Sequence, residues 1–419
     1  MRLNVHYHGE RIGELLELEQ GAWFQYDREW LSRGLELSPI KLPATSAVLG
    51  PWEEPEQYYL AGLFADSLPD NYGFAVIIRR FKEAGLPDPT PLQMLAFLGS
   101  RTMGALTYAP GTGEVDKNRT VDLIAAAKAA RQVVEYDYSQ QLDTDVIASG
   151  GSAGGAQPKI LIAMDPQQKR IVTGSDQIPQ GMGAWLLKFD LDAGQGPGRA
   201  RVEHAYFQMA RAGGLNTPET ALVPSSDGGM HFAIQRFDRQ IDRPNHRIHS
   251  HTLSGLLHRG FKRDGWDYDH LLRATRELTS DIREVESAWR QMVFNVLAHN
   301  QDDHAKNFSF LMDDDGQWSL APAYDLTYVS SLHGGQALNI NGKRLFTASD
   351  IVELGRKHSI AVNRMREIHD EVANAINRWP EFAASADVRP GILKSYQGGM
   401  ESVRKSLRLD AALSPGAKK

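Results

Sequence analysis

The arrangement that most restricts this chain is an aspartate, an asparagine five positions later and a second aspartate eighteen positions beyond that: Asp302, Asn307 and Asp325. They lie in Asn300-Gln301-Asp302-Asp303-His304-Ala305-Lys306-Asn307-Phe308-Ser309-Phe310 and in Tyr324-Asp325-Leu326. The stretch before them, Ser280 to His299, has apolar residues at Ile282, Val285, Trp289, Met292, Val293, Val296 and Leu297. That spacing predicts a helix with one buried face, and Asp281 followed by Glu284 fits a capping-box start. Asn307 to Met312 reads as a strand, Asp313 to Gly316 as a turn and Trp318 to Leu320 as the returning strand. The three polar residues are therefore expected at the ends of a hairpin that follows a core helix, where rigid elements can hold a site. An Asp-Asp-His run also suits an ordinary solvated turn, so the pattern needs support from elsewhere in the chain.

That support comes from two upstream segments. Phosphoryl transfer requires hard oxygen ligands for Mg²⁺ and a carboxylate aimed at the nucleophile. Protein kinases supply these as a catalytic-loop Asp, the Asn of D-x-x-x-x-N and a later Asp. Ser149-Gly150-Gly151-Ser152-Ala153-Gly154-Gly155-Ala156-Gln157-Pro158-Lys159 precedes the apolar run Ile160 to Ala163. Such a loop is either a flexible linker or a turn whose backbone N–H groups approach phosphates; it matches neither Walker A nor G-x-G-x-x-G. Ala184-Trp185-Leu186-Leu187-Lys188-Phe189-Asp190 is an apolar strand with one lysine inside it. Lys188 is either an edge guard or a phosphate-binding lysine, which kinases pair with a helical Glu. Glu203 stands near the start of the next helical segment.

With these segments in order, the chain resembles the HipA-type serine/threonine kinases, the toxin halves of bacterial toxin–antitoxin pairs. The resemblance covers most of the chain. It is most specific at Gly154-Gly155-Ala156-Gln157-Pro158-Lys159, Gln235-Arg236-Phe237-Asp238-Arg239, Asp303-His304-Ala305-Lys306-Asn307-Phe308-Ser309 and Pro322-Ala323-Tyr324-Asp325. It implies an α+β, two-lobed protein-kinase-like fold, with an additional N-terminal β-rich subdomain and a mostly helical C-terminal lobe. It also implies Asp302 as the catalytic carboxylate, Asn307 and Asp325 as Mg²⁺ ligands, and Lys188 on the ATP phosphates. Gln235 to Phe237 would meet adenine. Ser152, Ala153, Gly154 and Gly155 would form the phosphate loop, with Ser152 as an autophosphorylation site. His304 would orient the catalytic loop or serve as a structural hydrogen-bonder. Asp303 stands where the family often has Gly, but only Asp302 keeps the four-residue gap to Asn307. Gln235 stands where a Glu is often found. The implied partners are a protein substrate such as an aminoacyl-tRNA synthetase and a helix-turn-helix antitoxin of the HipB type. A small-molecule kinase and a non-catalytic co-repressor held by a DNA-binding antitoxin are the alternatives.

Composition fits an enzyme of this kind. In 419 residues, 42% are hydrophobic and 23% charged, ordinary for a globular chain. The absence of Cys excludes disulfides, thiolate catalysis and Cys-ligated zinc. His299 and His304 lie five apart among acids, but Mg²⁺ explains the acids better than zinc. A net charge of −6 lacks the basic excess of a chain that grips nucleic acid by itself, so DNA contact is expected only through the antitoxin. The basic clusters Arg199–Arg201 and Arg236–Arg247 read as solvated surface. The start at Met1 already alternates like a strand, and no apolar run is long enough to span a membrane, which points to a cytoplasmic protein. Three domains are expected: 1–110 β-rich, 111–237 with the Gly-rich loop, and 238–419 helical with the catalytic loop. Further expectations are turns at His8-Gly9 and Asn341-Gly342, a helix over 121–136 capped by Thr120, and a frayed tail from Leu409. The pair His249/His251 has no assigned role.

Overall fold

The computed structural model describes residues 1–113, 118–135, 157–174, 177–191, 198–330 and 335–414. The chain divides into two compact units. The first comprises Met1–Ala193, Ala221–Gly260 and Leu311–Gly316; the second comprises Gly194–Thr220, Phe261–Phe310 and Gln317–Lys419.

The first unit is built on two antiparallel sheets. Strands β1 (Arg2–Tyr7), β2 (Glu10–Leu18), β3 (Gly21–Tyr26) and β4 (Leu106–Ala109) are ordered β3-β2-β1-β4. Alternation places Leu3, Val5, Tyr7, Leu15, Phe24 and Tyr26 on one buried face. His8 and Gly9 join β1 to β2 with φ of 49° and 82°, the positive pair that a two-residue hairpin turn requires. The second sheet has the order β6-β5-β7-β9-β8, from β5 (Lys159–Met164), β6 (Ile171–Thr173), β7 (Gly183–Lys188), β8 (Thr220–Pro224) and β9 (Met230–Gln235). Every residue of β5 is buried, and β10 (His249–Thr252) follows this sheet in the chain. The expected helix near 121–136 spans Leu123–Val134, but its cap is Asp122 and not Thr120. Asp122 Oδ1 accepts from the N–H groups of Ile124 and Ala125 at 3.0 and 3.1 Å. Thr120 is instead bridged to Val172.

Two polar clusters lock this unit, and the first departs from the sequence reading. Arg236 and Arg239 are buried around Asp238, not solvated. Arg236 donates to both Asp238 oxygens at 2.9 and 2.7 Å, and Arg239 and the Gly104 N–H donate to Oδ2 at 2.7 Å. Burial works against this charge, yet the two guanidiniums hold the Asp238 carboxyl well below the usual carboxylate range. Arg247 donates to the carbonyls of Gly104, Ser100 and Thr102. The second cluster gives the histidine pair its place. His251 Nδ1 lies 2.6 Å from Asp66 Oδ2 and its Nε2 lies 3.0 Å from Ser38 Oγ. The connectivity is that of a nucleophile triad, but Ser38 is 1% exposed and His251 fully buried, so the group acts as an internal staple. His249 bonds the Leu37 carbonyl at 2.8 Å; burial lowers its pKa to about 3, so it is neutral.

The second unit is mainly helical. Its longer helices are Arg199–Ala212, Tyr268–Thr279, Ile282–Leu297, Ala348–Lys357, Val362–Asn377 and Pro390–Leu407. Trp289, Trp379 and Tyr206 are fully buried, each removing about 150–250 Å² from water; Tyr206 donates to the Ala298 carbonyl at 2.7 Å. Asp281 caps Ile282–Leu297 by accepting from Arg283 N–H at 2.8 Å. Glu284 does not complete a capping box: its Oε2 accepts from Leu320 N–H at 3.0 Å. The expected frayed tail, Leu409 to Lys419, is ordered at its start, and residues 415–419 lie outside the described residues. Leu409–Leu413 forms a short helix with both leucines buried, and Arg366 donates twice to the Leu413 carbonyl at 2.9 and 2.6 Å. No described helix is long and apolar enough to cross a membrane.

Candidate active site

The helix Ile282–Leu297 delivers the chain to the loop that holds Asp302. His299 turns the backbone with φ of 58°. The loop is then pinned to the segment after Asp325: Gln301 N–H donates to Val329 O at 3.2 Å, and Val329 N–H donates to His299 O at 3.1 Å. Asn307 closes the loop. Its N–H donates to His304 O at 2.8 Å, and its Nδ2 donates to Asp302 O at 2.7 Å. With Nδ2 engaged, the amide oxygen Oδ1 is the atom left to act as a ligand. β11 (Ser309–Met312) begins two residues later, and Ala321 N–H on the return from β12 (Trp318–Leu320) donates to Ser309 O at 2.9 Å. The expected strand start at Asn307 is displaced because Ala305–Asn307 forms a 3-10 turn.

Asp325 sits at φ of 55°, in the left-handed region where a non-glycine residue is uncommon. Its neighbour Tyr324 fixes it: the Tyr324 hydroxyl bonds Ser309 Oγ at 2.7 Å and donates to Lys306 O at 2.5 Å. The loop and the Asp325 segment are thus tied on both sides. Asp302 and Asp325 feel one another. Partial desolvation of its carboxyl raises the Asp302 pKa although the side chain reaches solvent, His304 opposes the rise and the Asp325 charge adds to it. His304 Nε2 is 4.0 Å from Asp302 Oδ1, and its ring lies 4.9 Å from that of Phe261.

Asp302 and Asp303 are adjacent yet differ sharply. The Asp302 side chain is 57% exposed, whereas Asp303 is 1% exposed. Asp303 accepts from the Tyr268 hydroxyl, from Gln336 Nε2 at 3.0 Å and from Ala337 N–H at 2.6 Å. Asn295 Nδ2 donates to the Tyr268 hydroxyl at 3.1 Å, Asn300 Nδ2 to Asn295 Oδ1 at 3.1 Å, and Gln336 Nε2 also to Asn300 O at 3.0 Å. Burial raises the Asp303 carboxyl to about 6, against the pull of these bonds. Tyr268, Asn295 and Gln336 went unnoticed in the sequence, and Asn300 was quoted there without a role. The one signal was Asn295, a polar residue inside Met292-Val293-Phe294-Asn295-Val296-Leu297.

In the first unit, Lys188 ends β7 opposite Phe232, and its ammonium is 5.8 Å from that ring. It is 7% exposed. Gln235 pairs with Trp185 at the end of β9, and Arg236 N–H donates to Ala184 O at 2.9 Å. Gln235 and Phe237 are half-buried, as is His304. Glu203 is buried in the helix Arg199–Ala212 of the second unit. Ser152, Ala153, Gly154 and Gly155 lie outside the described residues.

Residues 151–379 match the HipA-like C-terminal domain, and residues 3–109 match the HipA N-terminal domain. The chain belongs to the HipA family. A candidate kinase of Sinorhizobium fredii, Y4dM, is 28% identical over 398 residues, 90% of each chain. The serine/threonine-protein kinase toxin HipA of Shewanella oneidensis is 21% identical over 360 residues, 78% of this chain and 75% of that protein. HipA from the Shewanella oneidensis MR-1 complex with HipB and operator DNA shares the fold, with a TM-score of 0.71 and 17% identity over 97% of this chain and 98% of that one. The fold is thus the α+β, kinase-like fold of HipA, as the sequence led one to expect.

Proposed function

We propose that this HipA-family chain is a MgATP-dependent serine/threonine protein kinase, the toxin of a toxin–antitoxin pair that phosphorylates a host protein. One observation carries the reading: Asn307 Nδ2 is bonded to Asp302 O, while the charge of Asp325 bears on Asp302. That is the grouping that proton acceptance and phosphate-charge neutralisation require. Asp302 accepts the substrate hydroxyl proton. Its raised pKa brings it nearer the operating pH, where a general base works best, and its exposure leaves it open to an acceptor side chain.

The donor set fits Mg²⁺. Asn307 Oδ1 and the Asp325 carboxylate are hard oxygen ligands, without nitrogen or sulfur. When bound, Mg²⁺ neutralises phosphate charge. Lys188 is proposed for the ATP phosphates, Gln235 to Phe237 for adenine, and the loop containing Ser152, Ala153, Gly154 and Gly155 for phosphate contacts. Autophosphorylation at Ser152 would add close to two negative charges beside bound phosphates and switch the enzyme off. A HipB-type antitoxin is the proposed partner, with DNA reached only through it, because a HipA of the same fold is found with HipB and operator DNA.

The test uses the purified chain with MgATP. Phosphosites are mapped by mass spectrometry and nucleotide affinity is measured by calorimetry. Asp302→Asn should lose phosphoryl transfer while still binding MgATP, and Asp325→Ala should lose Mg²⁺-dependent binding. Unchanged MgATP affinity in Asp325→Ala would remove that residue from the reading. Phosphoproteomics after induction, with Asp302→Ala as reference, identifies the acceptor.

A further inference from the structure

Three segments far apart in sequence meet in the first unit. His8 is in the β1–β2 turn, His246 follows β9, and Asp314 is in the turn after β11. His246 Nε2 is 3.0 Å from Asp314, and His8 Nε2 is 3.6 Å from it. The two imidazoles stack with centroids 5.0 Å apart and planes 18° apart. One ligand atom from each residue lies within 4.8 Å of the others. A zinc ion bonded at 2.0–2.1 Å in a tetrahedron spaces its ligand atoms about 3.3 Å apart. The two edges to Asp314, at 3.0 and 3.6 Å, are close to that spacing already.

We propose that His8, His246 and Asp314 form a site for a divalent transition-metal ion, with zinc the expected occupant. Two neutral imidazoles and one carboxylate are the ligand types zinc accepts, and nitrogen disfavours Mg²⁺ and Ca²⁺. The side chains are reachable: His8 and His246 are each 26% exposed and Asp314 59%. A buried polar group beside them points the same way. The Tyr7 hydroxyl is buried without a hydrogen-bond partner, and the Tyr7 ring meets that of His8 edge-on at 4.2 Å. Three protein ligands leave a fourth position for water. The ion would clamp three turns drawn from distant parts of the sequence, a stabilising role separate from the Asp302 loop.

The test uses the full-length chain without a histidine tag, stripped with chelator. It is titrated with ZnCl₂ by calorimetry and with CoCl₂ by visible absorption. One equivalent should bind, cobalt should give tetrahedral ligand-field bands, and zinc should raise the melting temperature. His246→Ala and Asp314→Asn should each lower zinc affinity by about 100-fold or more, beyond the 10–100-fold typical of outer-shell losses, and abolish the thermal shift. His8→Gln repeats the test from the opposite side should His246→Ala fail to fold. Asp325→Ala should keep the cobalt bands, which separates this site from the proposed Mg²⁺ ligands. Absence of imidazole–cobalt bands, or zinc affinity unchanged in both histidine variants, would overturn the proposal and leave only a histidine–aspartate hydrogen bond.

Discussion

Asp303 should make folding stability depend on pH in a direction opposite to that of most aspartates. Its carboxyl is raised to about 6 by burial, against about 3.9 in an unfolded chain. The folded state therefore holds a proton more tightly than the unfolded state. The stabilising contribution is complete below about pH 4, falls as pH rises, and is gone above about pH 6. Two units at about 1.4 kcal/mol each give a swing of about 3 kcal/mol. Asp303→Asn removes the titration, so the stability of the parent minus that of the variant should fall by about 2 kcal/mol between pH 4 and pH 7, the part of the full swing that lies in this range. Urea unfolding of both proteins, at half-unit intervals across this range, reads the difference directly. Other titrating groups cancel because they are common to both chains. A flat difference would mean that Asp303 is not perturbed. A difference that rises with pH would mean that the bonds from Tyr268, Gln336 and Ala337 outweigh burial, and that the carboxylate is the preferred form.

Other expectations follow from the same geometry. Asp302→Asn should slow phosphoryl transfer by roughly 100-fold or more, the scale of general-base removal, in single-turnover assays, while Asp303→Asn should cost much less in rate; the reverse ranking would reassign the base. Asp238→Ala leaves Arg236 and Arg239 buried without their carboxylate and should cost about 3–5 kcal/mol in urea unfolding, against under about 0.5 kcal/mol for a surface change such as Asp410→Ala. Ser152→Asp should weaken MgATP binding in calorimetry, and normal binding would refute the proposed off-switch.

Much of the fold was legible because it is set by short-range rules. Period-two alternation in Leu3, Val5 and Tyr7 and helical spacing from Ile282 to Leu297 each report one buried face. His8-Gly9 and Asn341-Gly342 marked their turns because both residues of each pair take positive φ. Three of the failures share a cause: each was decided by a partner distant in sequence. Glu284 looked like a capping residue until Leu320 claimed its carboxylate. Arg236 and Arg239 looked solvated because the N–H group that completes the Asp238 site comes from Gly104, more than a hundred positions away. The tail from Leu409 looked frayed because its anchor, Arg366, belongs to another helix.

For the candidate site the division falls between the residues proposed for chemistry and those that support them. Asp302, Asn307 and Asp325 stand out because phosphoryl transfer fixes residue types at a characteristic spacing. The scaffold beneath them has no such spacing. Tyr268, Asn295, Asn300, Asp303 and Gln336 come from two helices and two loops and form one buried network. Sequence order says nothing about it, since any polar residue reaching the same point could satisfy the same acceptor. What forces the network is desolvation: a carboxyl at 1% exposure must find donors or lose its charge. Asp303 gathers three donors, and burial still raises its pKa to about 6. The same burial that keeps Asp303 from an acceptor hydroxyl makes it a rigid base for the loop, so that Asp302, one residue earlier, can face outward at a fixed position.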